Sequence, residues 1–203
     1  MSNILIDSLT PHPINSSIYS NRPDDDLVNS IRKYGIRVPL IVKADNTIIS
    51  GHRRWAAAKK AGLESVPVDV VEFESEADEW RAMLIANQYR QEKRSSEMLE
   101  EAALWKRVYA AEATASKSEA CSHAGKIAGR GRPKDENRVP HNCAEPYSDR
   151  ETRKKVAEKV GVSHATLERI QKVKSAAATG DPVAQQAWQQ LDDGEITAHR
   201  AYT

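Results

Sequence analysis

An α+β chain is predicted: a small mixed α/β domain at the N-terminus, then an all-α module. Three observations predict it. Residues 3–71 alternate short Ile- and Val-rich runs with helical stretches. From Glu76 onward the apolar period becomes helical and stays so. Residues 116–149 lose periodicity and gather Ser, Gly, Pro, Asn and charge, the composition of a linker. The organisation that follows is a first domain over 1–92, a connecting helix over 93–115, a flexible basic linker over 116–149 and a helical module over 150–203.

The elements follow from local signals. Asn3–Ile6, Leu40–Lys43, Thr47–Ser50 and Ser65–Val71 read as strands, rich in β-branched residues and bounded by turn formers. Asp24–Tyr34 reads as a helix: Pro and Asp precede it, Leu27, Val28 and Ile31 recur at helical spacing, and Gly35 ends it. Ala44-Asp45-Asn46 is a tight turn between two strands. A second helix is entered from Gly51 and closed by Gly62. Further helices are expected from Glu76 to near Arg90, over Ser95–Ala115, and over Arg150–Ala178 with a break at Gly161. Asp181-Pro182 starts another, with an Asp cap and Pro in the first turn, and Thr197–Tyr202 is expected to be helical too.

Composition excludes several classes. Across 203 residues, 39% are hydrophobic and 29% charged, with one Phe and four Trp, so a core must rest on aliphatic side chains. No apolar run approaches the roughly 18 residues of a membrane span, and two Cys make no disulfide scaffold. A cytoplasmic protein is expected. The net charge of +1 hides segments. Residues 1–63 carry nine basic and five acidic side chains, residues 64–101 four and eleven, and residues 126–174 thirteen and seven. A basic segment of this kind can neutralise nucleic-acid phosphates while the acidic one faces water or protein.

One turn carries chemistry. In IISGHRRWAAAKKAG an apolar strand runs through Ser50-Gly51 into a helix that opens with His52-Arg53-Arg54. Gly lets backbone approach a ligand, first-turn N–H groups face an anion, and guanidiniums add forked hydrogen bonds. From the residues alone, an anion site and a solvated basic helix start both remain open.

The stretch GIRVPLIVKADNTIISGHRRWAAAKKAGLESVPV resembles the N-terminal domain of ParB-type proteins, in the superfamily that also contains sulfiredoxin. The family pattern joins a Pro-Leu-x-Val strand, a G-E-R-R-x-R-A phosphate loop and a Gly followed four residues later by Val-Pro, here Val66-Pro67. The likeness extends back to Pro13 and forward to about Ala115. It implies binding of CTP with magnesium, with Gly51, His52, Arg53 and Arg54 holding phosphates. Ala86-Asn87-Gln88-Tyr89-Arg90 resembles the family's second motif, E-N-x-Q-R, which implies metal positioning by Asn87 and phosphate contact by Arg90. Three positions depart from the pattern: His52 and Ala86 stand where the family has Glu, and Ala56 where it has Arg. These losses weigh more against hydrolysis than against binding. The loop lacks the nucleophilic Cys of sulfiredoxin, so that chemistry is not expected.

A second motif, TRKKVAEKVGVSHATLERIQKV over residues 152–173, has the packing pattern of a helix-turn-helix. Val156, Ala157 and Val160 form the buried side of one helix, Gly161 the turn, Val162 its plug, and Leu167 and Ile170 the inward side of the next. Ser163, His164, Thr166, Arg169 and Lys172 fall on the other side, placed to reach base edges, and Arg153, Lys154 and Lys155 flank the first helix, placed for phosphates. An ordinary helical hairpin is the alternative. ParB-type proteins carry such a module after the nucleotide domain, so the order agrees.

Weaker features remain. Gly129–Lys134 looks like an AT-hook core, whose Arg130 and Arg132 would enter a narrow minor groove; a basic flexible linker is the plainer reading. Cys121, His123, His141 and Cys143 have one-residue spacing unlike zinc fingers or ribbons, so zinc is not expected. Trp80, Trp105 and Trp188 read as core or interface, and Glu72–Glu79 as a solvated helix start. The function expected is a DNA-binding protein of ParB type, a homodimer acting on double-stranded DNA in partition or transcriptional regulation, with a partition ATPase or other regulator as further partner. The alternatives are a nucleotide-dependent enzyme, for which His52 and Asp69 are the only nearby candidate bases, and an adaptor that has lost its ligand.

Overall fold

The computed structural model describes residues 2–88, 93–128 and 149–203. It divides into two compact units, Met1–Glu97 and Met98–Thr203.

The first unit is a mixed α/β domain. Its strands are β1 (Ser2–Leu5), β2 (Thr10–Pro11), β3 (Leu40–Val42), β4 (Thr47–Ser50) and β5 (Ser65–Val70). They form one sheet in the order β1-β5-β3-β4-β2. β1 runs antiparallel to β5, β5 parallel to β3, β3 antiparallel to β4, and β4 parallel to β2. A 3₁₀ turn, Ile6–Ser8, separates the first two strands. The helices are α1 (Pro13–Ile18), α2 (Asp25–Tyr34), α3 (His52–Ala61) and α4 (Glu76–Asn87). The core is aliphatic, as composition required. Leu40, Val42, Ile48, Val66 and Val68 from the sheet are fully buried against Val28 and Ile31 of α2 and Ala57 and Ala58 of α3. Each such Val, Leu or Ile contributes roughly 1.5–3 kcal/mol on burial.

Caps set the helix starts. Asp24 accepts the Leu27 N–H at 2.7 Å to open α2, and the Ser75 hydroxyl accepts the Asp78 N–H at 3.2 Å to open α4. In the Ala44–Asn46 turn, Asp45 accepts the Thr47 N–H at 2.9 Å. Trp55 packs on the core and donates its indole N–H to the Ile6 carbonyl at 3.1 Å.

The second unit is helical: α5 (Ser95–Ala128, whose first residues lie in the first unit), α6 (Asp149–Val160), α7 (His164–Ala178), α8 (Pro182–Asp192) and α9 (Ala198–Tyr202). Val156, Ala157 and Val160 of α6 and Leu167, Ile170 and Val173 of α7 are buried, as are Leu104, Trp105 and Val108 of α5. Lys174 pairs with Glu100 at 3.2 Å, and Lys159 lies 5.6 Å from the Trp105 ring. Asp181 caps α8 through the Val183 N–H at 3.0 Å. Among the described residues no helix is long and apolar enough to cross a membrane.

Two expectations need correction. The helix expected to close at Ala115 continues to Ala128, so the first part of the stretch read as linker is helical. The sequence SKSEACSHAGKIA contains no Pro, and its single glycine, Gly125, is tolerated inside the helix. The acidic run 72–79 is solvated except at its end: Glu79 is buried, between His12 Nε2 at 2.9 Å and Lys43 Nζ at 3.1 Å. Of the tryptophans read as core or interface, Trp80 and Trp105 are buried and Trp188 is half-buried, 5.9 Å from Lys174 Nζ.

Candidate functional site

A cavity of about 350 Å³ opens at the start of α3, within the size range of small-molecule sites. Ser50, Gly51, His52, Arg53 and Arg54 line one side, Ala86 and Asn87 at the end of α4 another, and Asn15, Tyr19, Ser20 and Asn21 a third. Two of the motifs singled out in the sequence therefore meet in one place, although some 35 residues separate them along the chain. Arg90 lies outside the described residues.

Gly51 makes the turn from β4 into α3. Its φ is +102°, and a Cβ there would sit 3.0 Å from Leu40 Cγ and 3.1 Å from Arg54 Nη2. The backbone can turn this sharply over the core only because no side chain is present. The N–H groups of the first turn of α3 have no intrahelical partners and open at the cavity.

His52 differs from expectation. Its imidazole is 5% exposed, and its Nε2 accepts the His12 N–H at 3.2 Å. Burial lowers its pKa to about 4, His12 nearby adds to the fall, and a hydrogen bond involving the Ile48 backbone opposes it. The ring is therefore neutral, with its proton on Nδ1. It ties the segment before α1 to the first turn of α3 and brings no positive charge to a phosphate. Only the backbone N–H at this position suits that role.

The two arginines already have partners. Arg53 Nη2 lies 2.6 Å from Asp24 Oδ2, the carboxylate that also caps α2. Arg54 Nη1 donates to the Val38 carbonyl and, at 2.9 Å, to the Pro39 carbonyl, bracing the segment that leads into β3. Burial lowers the Arg54 pKa, yet guanidinium stays charged in proteins. Asn87 donates Nδ2 to the Met83 carbonyl at 2.9 Å, which leaves Oδ1 as its acceptor. Among the described residues no group of three or more His, Cys, Asp or Glu could hold a metal.

The third wall was missed in the sequence. Asn15 is 2% exposed and donates to Asn21 Oδ1 at 3.0 Å; Asn21 in turn donates to the Ser16 hydroxyl at 3.4 Å. The Ser20-Asn21-Arg22-Pro23 cluster just before a capped helix was the available signal.

In the helical unit, Gly161-Val162-Ser163 joins α6 to α7. The Ser163 hydroxyl caps α7 through the Thr166 N–H at 3.1 Å and contacts the Thr166 hydroxyl at 2.8 Å. His164, Thr166 and Arg169 are half-buried, Lys172 is exposed, and its ammonium lies 5.3 Å from the Tyr202 ring. Arg153 and Lys154 are exposed and Lys155 half-buried. A groove of about 520 Å³ brings Arg153 and His164 together with Lys106 and Arg107, but does not include Arg169 or Lys172. Arg130, Arg132, His141 and Cys143 lie outside the described residues, as do the side chains of Cys121 and His123.

Known proteins resemble both the sequence and the fold. The chromosome-partitioning protein ParB of Caulobacter vibrioides is 41% identical over 56 residues, which cover 25% of this chain and 18% of that protein. The probable chromosome-partitioning protein ParB of Pseudomonas putida is 42% identical over 57 residues, 26% of this chain and 20% of that protein. The matches thus span about a fifth of these relatives' length. A solved pNOB8-like ParB N-domain superposes with a TM-score of 0.58 at 17% identity, covering 99% of this chain and 72% of the other. The model of the ParB N-terminal domain matches residues 2–88, the same residues that fold into the sheet, the glycine-led helix and the cavity wall of α4. Residues 2–88 of this chain are thus similar to the ParB N-terminal domain.

Proposed function

We propose that the chain is a ParB-like, DNA-binding protein whose N-terminal domain binds the polyphosphate of a nucleotide, CTP with magnesium, and whose helical unit reads DNA through α6 and α7 as a helix-turn-helix. One observation carries the nucleotide reading: Gly51, Arg53, Arg54 and Asn87, from two separate motifs, line a single cavity at a helix N-terminus. The donor set fits magnesium only when the nucleotide brings it. Ala86 removes a carboxylate, so Asn87 Oδ1 is the protein's oxygen and the phosphates supply others. In this reading Arg90 contacts phosphate as well. Enzymatic turnover draws no support from His52, whose Nε2 is occupied by the His12 N–H.

Calorimetry with CTP, ATP and GTP at millimolar magnesium tests the cavity. Arg53→Ala with Arg54→Ala is expected to weaken binding tenfold to a hundredfold, since charge-assisted hydrogen bonds contribute about 1.5–3 kcal/mol each. No binding below about 1 mM, with or without DNA, would leave the domain as an adaptor.

The DNA reading rests on the two helices with a glycine turn, the Ser163 cap and the basic residues around them. In this reading Ser163, His164, Thr166, Arg169 and Lys172 face bases, Arg153, Lys154 and Lys155 hold phosphates, and Arg130 and Arg132 enter a narrow minor groove. A homodimer on paired half-sites follows from such readers, with plasmid or chromosome partition or transcriptional regulation as the process and a partition ATPase or other regulator as partner. The protein is placed in the cytoplasm, on nucleoid or plasmid. Arg169→Ala with Lys172→Ala is expected to abolish site-specific binding, each base contact contributing about 1–3 kcal/mol. If a genomic binding profile changes no more than it does for Glu168→Ala, α7 is not the recognition helix.

A further inference from the structure

We infer that Asp24 is a resident counter-ion of the cavity at α3: its carboxylate holds Arg53 in the absence of ligand, and an incoming polyphosphate must displace it. This rests on the nucleotide reading above and adds the residue that opposes binding. Three observations support it. Arg53 lines the cavity, and its Nη2 lies 2.6 Å from Asp24 Oδ2, within the range of a short charge-assisted contact. Asp24 is held in place independently of Arg53, because its other oxygen, Oδ1, accepts the Leu27 N–H at 2.7 Å as the cap of α2. The pair is open to solvent, with the side chains 46% and 57% exposed, so an anion can reach the guanidinium.

The two oxygens of one carboxylate therefore have separable jobs. When phosphate takes Arg53, Oδ1 still caps the helix and the fold is undisturbed. A single phosphate offers Arg53 little beyond what the carboxylate offers. A chain of phosphates gains the first-turn N–H groups of α3 at the same time, which the carboxylate does not engage. Asp24 thus weakens binding of every anion that uses Arg53, a cost that a chain of phosphates offsets through those N–H groups and a lone phosphate does not.

Asp24→Asn isolates the effect, because Asn caps a helix as well as Asp does and carries no charge. Inorganic tripolyphosphate and orthophosphate, titrated by calorimetry at low salt, are the probes. Asp24→Asn is expected to bind tripolyphosphate about threefold to tenfold more tightly than the unaltered protein. The gain for orthophosphate should be of the same size if it uses Arg53, because the cost of displacing Asp24 is common to both. Combined with Arg53→Ala, the substitution should bring no gain. Asp25→Asn, which breaks the neighbouring pair with Lys60 at 2.9 Å outside the cavity, should leave both affinities unchanged. If the unaltered protein binds tripolyphosphate and Asp24→Asn binds it no more tightly, or the gain survives Arg53→Ala, the counter-ion role is wrong and the nucleotide reading stands. If neither protein binds tripolyphosphate below about 1 mM, the counter-ion role is wrong, and the nucleotide calorimetry decides the nucleotide reading separately.

Discussion

Gly51→Ala is expected to destabilise the N-terminal domain by about 2–4 kcal/mol, read as a fall in the denaturant midpoint of its unfolding. Two separate effects add. A side chain at φ +102° carries a backbone penalty of roughly 1–2 kcal/mol. The new Cβ also meets Leu40 Cγ at 3.0 Å, and Leu40 sits fully buried in the sheet and has no room to yield. Gly62→Ala provides the comparison. It too has a left-handed φ, +81°, but nothing lies within 4 Å of its Cβ position, so only the backbone penalty applies. Equal losses at the two positions would show that contact with Leu40 contributes nothing.

Acid is expected to weaken the same domain through His52. Burial holds its pKa near 4 in the folded state against an ordinary value of 6.5. Between those values the unfolded chain binds the extra proton and the folded chain does not, so stability rises with pH across this window. The contribution is fully present above about pH 6.5 and is lost as pH falls toward 4. At 1.36 kcal/mol per unit it amounts to about 3 kcal/mol. Denaturant midpoints measured from pH 7 to 4 check it. Carboxylates also begin to titrate near the lower end, so the difference between the unaltered protein and His52→Gln is the quantity to follow. A difference that stays constant with pH would mean that the buried ring is not kept neutral.

What was legible in the sequence was what local chemistry decides. Leu40–Val42, Thr47–Ser50 and Ser65–Val70 announce themselves by β-branched runs, and Asp24, Ser163 and Asp181 are caps that each satisfy an N–H two or three residues on. The strand-turn-helix around Gly51 was readable for the same reason. β2 and α1 were not. β2 is two residues long and exists through its parallel pairing with β4, with Thr10 N–H on the Asn46 carbonyl at 3.1 Å. Without β2 nothing along the chain places α1, and without α1 the wall of Asn15 and Tyr19 has no address. The partners of the motif residues were equally hidden. His52 finds His12 forty positions away, and Arg53 finds Asp24 twenty-nine away, and no periodicity encodes such pairs. α5 exceeded its expected length because the Ser, His and Gly of residues 116–128 lower helix propensity without stopping a helix, and no Pro lies among them.

The most basic stretch of the domain, HRRWAAAKKA, has a further kinetic consequence. Three of the four cations of α3 are paired with carboxylates, Arg53 with Asp24, Lys59 with Asp7 at 3.3 Å and Lys60 with Asp25 at 2.9 Å, while Arg54 donates to two carbonyls and keeps its charge. The three pairs closed at such short range cast little field beyond the Debye length, about 8 Å at physiological salt, which leaves Arg54 to supply most of the field of this helix. An anion approaching this helix is therefore drawn in from a distance more weakly than toward a bare basic cleft. Capture depends on collisions that already fit, so added salt should change how long an anion stays far more than how fast it arrives.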